Sequence, residues 1–322
     1  MAELHGRLGQ LEEAQRLGGK ALHIKAQSVA SNKAYPIPEC SPPSFSGDDP
    51  SRNIIAFSLF GDKARYCETA IMNCDAVARL LPGWKCRFYC DETVPREVRD
   101  RLVAKGGEVA MVGAAHKNVP PLMWRFLVAD DSQVTRFLVR DADSLIGERE
   151  KALVEAWLVS GKWFHLIRDW FTHSELILAG LWGGCRGALP GMQSLIAEFV
   201  ASGNYSSTHM DQHFLRQKVW PTLCQSVLAH DSQFDLAGVV RFEPAKGSME
   251  HIGANLSAVQ IGAPEAAPDG SRIRWTLLDD AGKSVCSYVA TVKNAQWRDH
   301  LPSLYADNIK HHGWTVRTEL LG

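Results

Sequence analysis

The spacing most able to do chemistry is Asp141-Ala142-Asp143, which follows the apolar run Phe137-Leu138-Val139 after a single arginine, Arg140. An unbroken run of β-formers reads as a strand buried on both faces. In extended chain, residues two apart point to the same side, so Asp141 and Asp143 can converge on one object. Two bare carboxylates repel each other. A hard divalent cation, with phosphates on its open positions, satisfies both.

Competing chemistries are less complete. Gly282-Lys283-Ser284 lacks the first glycine of a phosphate loop, because position 277 is Leu. No G-x-G-x-x-G follows the first strand. His209 and His213 lie four apart, but Met210 stands where a zinc peptidase needs its acid. The eight cysteines form no C-x-x-C and read as reduced thiols.

The elements that must position the carboxylates can be read along the chain. Residues 2–29 have helical apolar spacing (Leu4, Leu8, Leu11, Ala14) and predict one amphipathic helix. Residues 31–52 are rich in Pro, Ser, Asn and Asp and read as a linker. From Asn53 onward, strands at 53–60, 85–90, 108–112 and 136–139 alternate with helical segments at 66–81, 95–105 and 123–129. Such alternation implies a parallel sheet with helices on both faces, whose ligands sit beyond the carboxyl ends of the strands. Asp141 and Asp143 fall at such an end, as do Ser58, Leu59 and Asp62.

Further on come a helix at 148–159 and a strand at 163–167, then an apolar stretch that turns glycine-rich at 176–184. Helices follow at 195–201 and 208–219, then a strand ending in His230-Asp231-Ser232. A second Pro/Ala/Gly-rich linker is expected at 262–270, then a β-hairpin over 272–291, a polar helix or loop to 312 and a last strand at 314–320. The expected divisions are a helical arm (1–30), a linker (31–52), a main domain (53–262) and a small β-containing appendage (263–322).

Of the 322 residues, 45% are hydrophobic and 22% charged, an ordinary globular composition. Lys and Arg number 35 against 36 Asp and Glu, so no global field recruits nucleic acid or an anionic membrane. No apolar run is long enough for a membrane span and residues 1–20 lack a signal-peptide core, so a cytoplasmic protein is expected.

Two resemblances add to this reading. Residues Leu8 to Ala14 with Lys20-Ala21-Leu22 resemble the second half of a tetratricopeptide repeat, which would pack on the main domain or, as a homo-oligomer contact, on a second subunit. The main domain resembles the nucleotide-sugar glycosyltransferases of the GT-A fold. The ordered pieces are Ser58-Leu59-Phe60-Gly61-Asp62, Tyr66, Pro82-Gly83-Trp84, Trp124-Arg125-Phe126, Arg140-Asp141-Ala142-Asp143-Ser144, Ala179-Gly180-Leu181-Trp182-Gly183, Asp211-Gln212 and His230-Asp231-Ser232.

The resemblance implies an α/β, Rossmann-type, mostly parallel sheet flanked by helices. It implies transfer of a sugar from a nucleoside diphosphate sugar, a UDP-sugar foremost, to a glycan or other hydroxyl acceptor. Asp141, Asp143 and His230 would hold Mn²⁺ or Mg²⁺, the histidine favouring manganese. Ser58, Leu59, Asp62, Tyr66 and Arg125 would line the nucleotide site, with Arg125 on Asp141 or a phosphate. Trp182 and Gly183 would floor the sugar or acceptor. Asp169 or Asp211, the latter beside Gln212, would be the carboxylate acting on the acceptor or the anomeric carbon. A sugar-phosphate nucleotidyltransferase and a catalytically silent sugar-nucleotide-binding scaffold stand as alternatives.

Overall fold

The computed structural model describes residues 1–116, 118–203, 206, 208–234, 236–256 and 259–321. The first helical stretch is two helices, α1 (Ala2–Arg7) and α2 (Leu11–Ser28), where the sequence predicts one. Gly9 separates them with φ +73°, a left-handed conformation that ends a helix. The pair lies on the rest of the chain through two glycines. A Cβ on Gly6 would sit 2.3 Å from the Phe171 ring, and one on Gly18 would sit 2.0 Å from the Phe234 ring. Leu22 packs with Val29, Leu176 and Phe234 beside them.

The following irregular segment is tied down along its length. Tyr35 N donates to Thr222 Oγ1, Arg136 donates to Pro43 O, and Phe45 stacks on Trp84.

The main sheet has eight strands: β1 (Asn53–Leu59), β2 (Lys85–Cys90), β3 (Glu108–Met111), β4 (Arg136–Arg140), β5 (Phe164–Arg168), β6 (Leu181–Cys185), β7 (Val227–Asp231) and β8 (Val239–Val240). Their order is β3-β2-β1-β4-β6-β5-β7-β8. β6 runs antiparallel to both its neighbours, and the other pairings are parallel. Helices α3 (Ala64–Leu80), α4 (Arg96–Ala104), α5 (Glu148–Leu158) and α6 (Met192–Ser202) flank the sheet. The expected α/β class and mostly parallel sheet are therefore present. Every residue of β1 and β4 is buried, as expected of central strands covered on both faces.

Three local expectations change. The segment before β4 is a 3₁₀ helix, Pro121–Asp130, entered through Pro120-Pro121. Of the apolar stretch at 176–184, only Leu181 onward is strand. The helix expected at 208–219 is α7 (Met210–Phe214), a π turn (Leu215–Val219) and α8 (Trp220–Leu223). It starts after His209, which has a left-handed φ of 56°.

Beyond the main sheet lie β9 (Val259–Pro264), β10 (Arg272–Leu278), β11 (Ser284–Thr291), β12 (Gln296–Leu301), α9 (Ser303–His311) and β13 (Thr315–Leu321). The expected hairpin is β10 and β11, with β13 on the other side of β10. β9 and β12 correct the sequence reading, which has linker and loop there. They pair antiparallel as a two-stranded ribbon. Gly and Pro are tolerated in β9 because it pairs on one side only. Gly262 is also needed, since a Cβ would lie 2.3 Å from Trp297 O. This part docks on α3 through Glu68, which is fully buried. Glu68 accepts from Arg101 at 2.7 and 2.8 Å, from Tyr288 Oη at 2.6 Å and from Tyr305 Oη at 3.2 Å. Trp275, Trp297 and Tyr305 join the same hydrophobic core as β1 and β4. Among the described residues, no helix is long and apolar enough to cross a membrane.

Candidate active site

β4 lies between β1 and β6, and the chain leaves its carboxyl end as Asp141-Ala142-Asp143. These three residues face a cavity of about 200 Å³. Ser58, Leu59 and Phe60 wall it from the end of β1, Tyr66 from α3, and Leu122 and Arg125 from the 3₁₀ segment. The ends of β1 and β4, the start of α3 and the 3₁₀ segment thus gather Ser58, Leu59, Tyr66, Arg125, Asp141 and Asp143 around one space.

Arg125 organises it. The side chain is 4% exposed and reaches two carboxylates: Nη1 donates to Asp141 Oδ1, and Nη2 donates to Asp211 Oδ2 at 3.0 Å. Nη1 also donates to Arg140 O at 3.2 Å, and the backbone N of Arg125 donates to Ser58 Oγ at 3.0 Å. Ser58 therefore anchors the 3₁₀ segment to β1. Burial opposes the guanidinium charge, but Asp141, Asp211 and Asp143 hold its pKa above the ordinary value.

The two carboxylates of the pair differ. Asp141 is nearly half exposed at its side chain. Its Oδ2 lies over Gly180, where a Cβ would stand 1.9 Å from that oxygen and 2.9 Å from the backbone N of Asp141. Asp143 Oδ2 accepts from Asn255 Nδ2 at 3.0 Å and lies 3.8 Å from Arg65 Nη2. Burial, then repulsion by Asp141, raises the Asp143 pKa. Asp211 is buried at the start of α7, and burial raises its pKa while Arg125 opposes the rise.

Gly180→Ala is accordingly expected to push the Asp141 carboxylate out of place, because the clash includes backbone. A stability loss of about 1–3 kcal/mol, read from urea unfolding, should accompany loss of whatever ligand binding Asp141 supports.

Several expected site residues lie elsewhere. Asp169 is fully buried and spent on structure: it accepts from Arg149 Nη2 at 2.9 and 3.0 Å, Ser232 Oγ at 2.7 Å and Ile252 N at 2.8 Å. His230 is separated from β4 by β6 and β5, and its Nδ1 is 2.8 Å from His165 Nε2. Burial pushes its imidazole down to about 4, so it stays neutral. Asp231 does not orient it. That carboxylate serves Arg168 and the backbone N–H groups of Gln233 and Phe234. Trp182 is fully buried, edge-on to Phe126 and Phe137, and a Cβ on Gly183 would lie 2.5 Å from Phe137 O. Both belong to the packed interior of the sheet and floor nothing. Asp62 is on the exposed turn after β1, 3.9 Å from Lys63 Nζ and outside the cavity lining. Gln212 follows Asp211 on α7, and its backbone N donates to Asp211 Oδ1 at 2.9 Å.

Sequence reasoning missed Arg65, Asn255 and the contact of Gly180 with Asp141. Asn255 arrives from 112 residues away on the loop whose Leu256 N donates to Asp143 O. No spacing rule links it to the pair.

Among the described residues, no group of three His, Cys, Asp or Glu side chains is placed to hold a metal ion. Asp141 and Asp143 by themselves fit a cation that takes its remaining ligands from water and substrate phosphates, the usual habit of Mg²⁺ beside nucleotides. Burial first and the Asp141 carboxylate second raise the Asp143 pKa, and a cation bound there would offset both.

No family model matches the chain, and no curated protein matches it. Solved structures are similar at a distance. Glucosyl-3-phosphoglycerate synthase from Mycobacterium tuberculosis, with Mn²⁺ and UDP-glucose, is 13% identical with a TM-score of 0.37, covering 61% of this chain and 72% of that one. A mannosyltransferase from Pyrobaculum calidifontis, with GDP-Man and Mn²⁺, is 11% identical with a TM-score of 0.37, covering 74% and 68%. The 4-diphosphocytidyl-2C-methyl-D-erythritol synthase of Anaerococcus prevotii is 11% identical with a TM-score of 0.36, covering 59% and 89%. Likenesses this distant leave the functional assignment to the chemistry of the site itself.

Proposed function

We propose that this chain is a GT-A-like glycosyltransferase that depends on Mn²⁺ or Mg²⁺ and moves a sugar from a nucleoside diphosphate sugar, a UDP-sugar foremost, to an acceptor hydroxyl. One observation carries the reading. Asp141 and Asp143 converge at the carboxyl end of a central strand on a cavity that also holds the buried Arg125. A doubly charged diphosphate leaving group needs positive charge beside it, and a divalent cation on Asp143 and Asp141 would supply it.

The other roles follow from placement. Arg125 fixes Asp141 and offers a permanent charge beside the diphosphate. Leu59, Phe60, Tyr66 and Leu122 give the cavity apolar walls suited to a base and ribose. Asp211, on the far side of Arg125, is the carboxylate of the acceptor side in this reading. Its raised pKa suits a group that takes a proton from a hydroxyl. Asp169 has no part in it, since all its acceptor capacity is spent elsewhere.

Phosphorus NMR of UDP-glucose, UDP-galactose and UDP-N-acetylglucosamine incubated with the protein tests this. Slow release of UDP that requires Mn²⁺ or Mg²⁺ is expected from at least one donor. Absence of release from these and from the GDP, CMP and dTDP sugars contradicts the proposal. Formation of UTP and a sugar 1-phosphate when pyrophosphate is added, in place of UDP release, would favour the nucleotidyltransferase alternative.

A further inference from the structure

A second, larger cavity of about 490 Å³ lies between the start of α3 and the C-terminal strands. Its lining includes Lys63, Thr291, Lys293, Asn294, Gln296 and Arg298. The cations are organised by a tight turn. Asn294 and Ala295 both take left-handed φ values, 52° and 54°, between the paired Lys293 and Gln296. Lys293 N donates to Gln296 O at 2.8 Å, and Gln296 N returns the bond at 3.1 Å. Two successive positive φ values define the mirror-image hairpin turn, which costs a residue such as alanine of order 1–2 kcal/mol. The turn sets Lys293 and Gln296 side by side at the cavity rim. Gln296 Oε1 in turn accepts from Arg298 Nε and Nη2 at 3.2 and 2.8 Å, which fixes the plane of the guanidinium.

The charge balance favours an anion. Among the described residues, no carboxylate lies within 4.0 Å of the charged nitrogens of Lys293 or Arg298. Lys63 has only the exposed Asp62 at 3.9 Å. The lining also contains the Asp299 carboxylate, which accepts from Trp275 Nε1 at 2.9 Å and His300 N at 2.8 Å, so three cationic side chains face one carboxylate.

Position supplies the remaining argument. Phe60 and Tyr66 line the carboxylate cavity, and Lys63, midway between them in sequence, lines this one. Three virtual bonds of about 3.8 Å bound each separation, so the Lys63 Cα is within about 11 Å of either. The segment from Phe60 to Tyr66 is thus a wall shared by both cavities.

We infer that the cleft of Lys63, Lys293 and Arg298 binds the phosphate or carboxylate of an anionic acceptor whose hydroxyl is presented to the carboxylate cavity. The inference deepens the glycosyl-transfer reading and rests on it for the word acceptor. Arg298, with its plane fixed, pairs an anion through a fork, and the two lysines add point charge. Asn294 and Thr291 provide polar contacts for hydroxyl groups next to that anion.

The test uses the full chain without metal, titrated calorimetrically with glucose 6-phosphate, inorganic phosphate and glucose. Glucose 6-phosphate should bind saturably and more tightly than inorganic phosphate, and glucose should give no signal. The double variant Lys293→Glu, Arg298→Glu, both exposed positions, should weaken glucose 6-phosphate by about tenfold or more. Asp143→Ala should leave it unchanged, which places the binding outside the carboxylate cavity. The inference is overturned by no saturable binding of glucose 6-phosphate, by binding that survives the charge reversal, or by loss of binding in Asp143→Ala. It is also overturned if glucose or free phosphate binds as tightly as glucose 6-phosphate. Binding of UDP with Mn²⁺ is measured separately on the same protein. Its absence counts against the proposed function, while the phosphate titrations still decide whether the cleft takes a sugar phosphate.

Discussion

Asp143→Ala is expected to lower the affinity for UDP in the presence of Mn²⁺ by about 100-fold or more, since even residues that merely support metal ligands cost 10–100-fold when removed. The fold should survive. In the metal-free protein Asp143 is an acid whose folded pKa is raised by burial and by Asp141. An acid raised in this way binds its proton more readily folded than unfolded, so ionising it costs stability, and the cost persists above the folded pKa. At neutral pH the isosteric Asp143→Asn should therefore melt no lower than the parent, and slightly higher, when no metal is present. Calorimetric UDP titrations and metal-free melting curves check the two halves. A variant that keeps its affinity would move the metal away from Asp143. One that melts well below the parent would make Asp143 a structural residue.

Arg125→Ala is expected to cost about 3–5 kcal/mol of folding stability, the usual result of removing one partner from a buried ion pair. The carboxylate left exposed to that cost is Asp211, which is itself buried, whereas Asp141 can turn to water. Arg125→Lys should rescue little. One ammonium cannot span Asp141 and Asp211 while donating to Arg140 O, as the guanidinium does. The combination Arg125→Met with Asp211→Leu removes both buried charges and should recover much of the stability, yet not UDP binding. Urea midpoints and UDP affinity, measured across the series, separate the structural role from the binding role. A single Arg125→Ala variant that loses under 1 kcal/mol would contradict the bridge.

Much of the framework is legible in the residues. Apolar runs give β1 and β4 nearly to the residue, because central strands covered on both faces leave no polar alternation to misread. The two-residue spacing of Asp141 and Asp143 gives the pair, and position after β1 gives Ser58 and Leu59. The failures share a cause. His230 follows an apolar run just as Asp141 does, so local sequence ranks them alike. The insertion of β6, antiparallel, and β5 between their strands sets them apart, and strand order is a long-range property. Trp182-Gly183-Gly184 reads equally well as a ligand floor or as a strand pressed against β4. The close approach that a Cβ on Gly183 would make to Phe137 O, and the pairing of Gly183 with Leu138, decide for the strand. Asn255 and Arg65 reach Asp143 through loop closure and helix phase, which no short motif records. Asp169 shows the converse error. A carboxylate at a strand end resembles a catalytic acid until its donors, Arg149, Ser232 and the Ile252 N–H, are counted.

The central claim is that Asp141 and Asp143 hold a cation that holds a nucleotide. Thermal unfolding of the full chain with UDP, GDP, CMP and dTDP, each with Mn²⁺ and with chelator, tests it most directly. A rise in melting temperature with one nucleotide family, present with Mn²⁺, absent with chelator and absent in Asp143→Ala, is the result expected. Equal stabilisation with and without metal, or none from any nucleotide, would contradict the account.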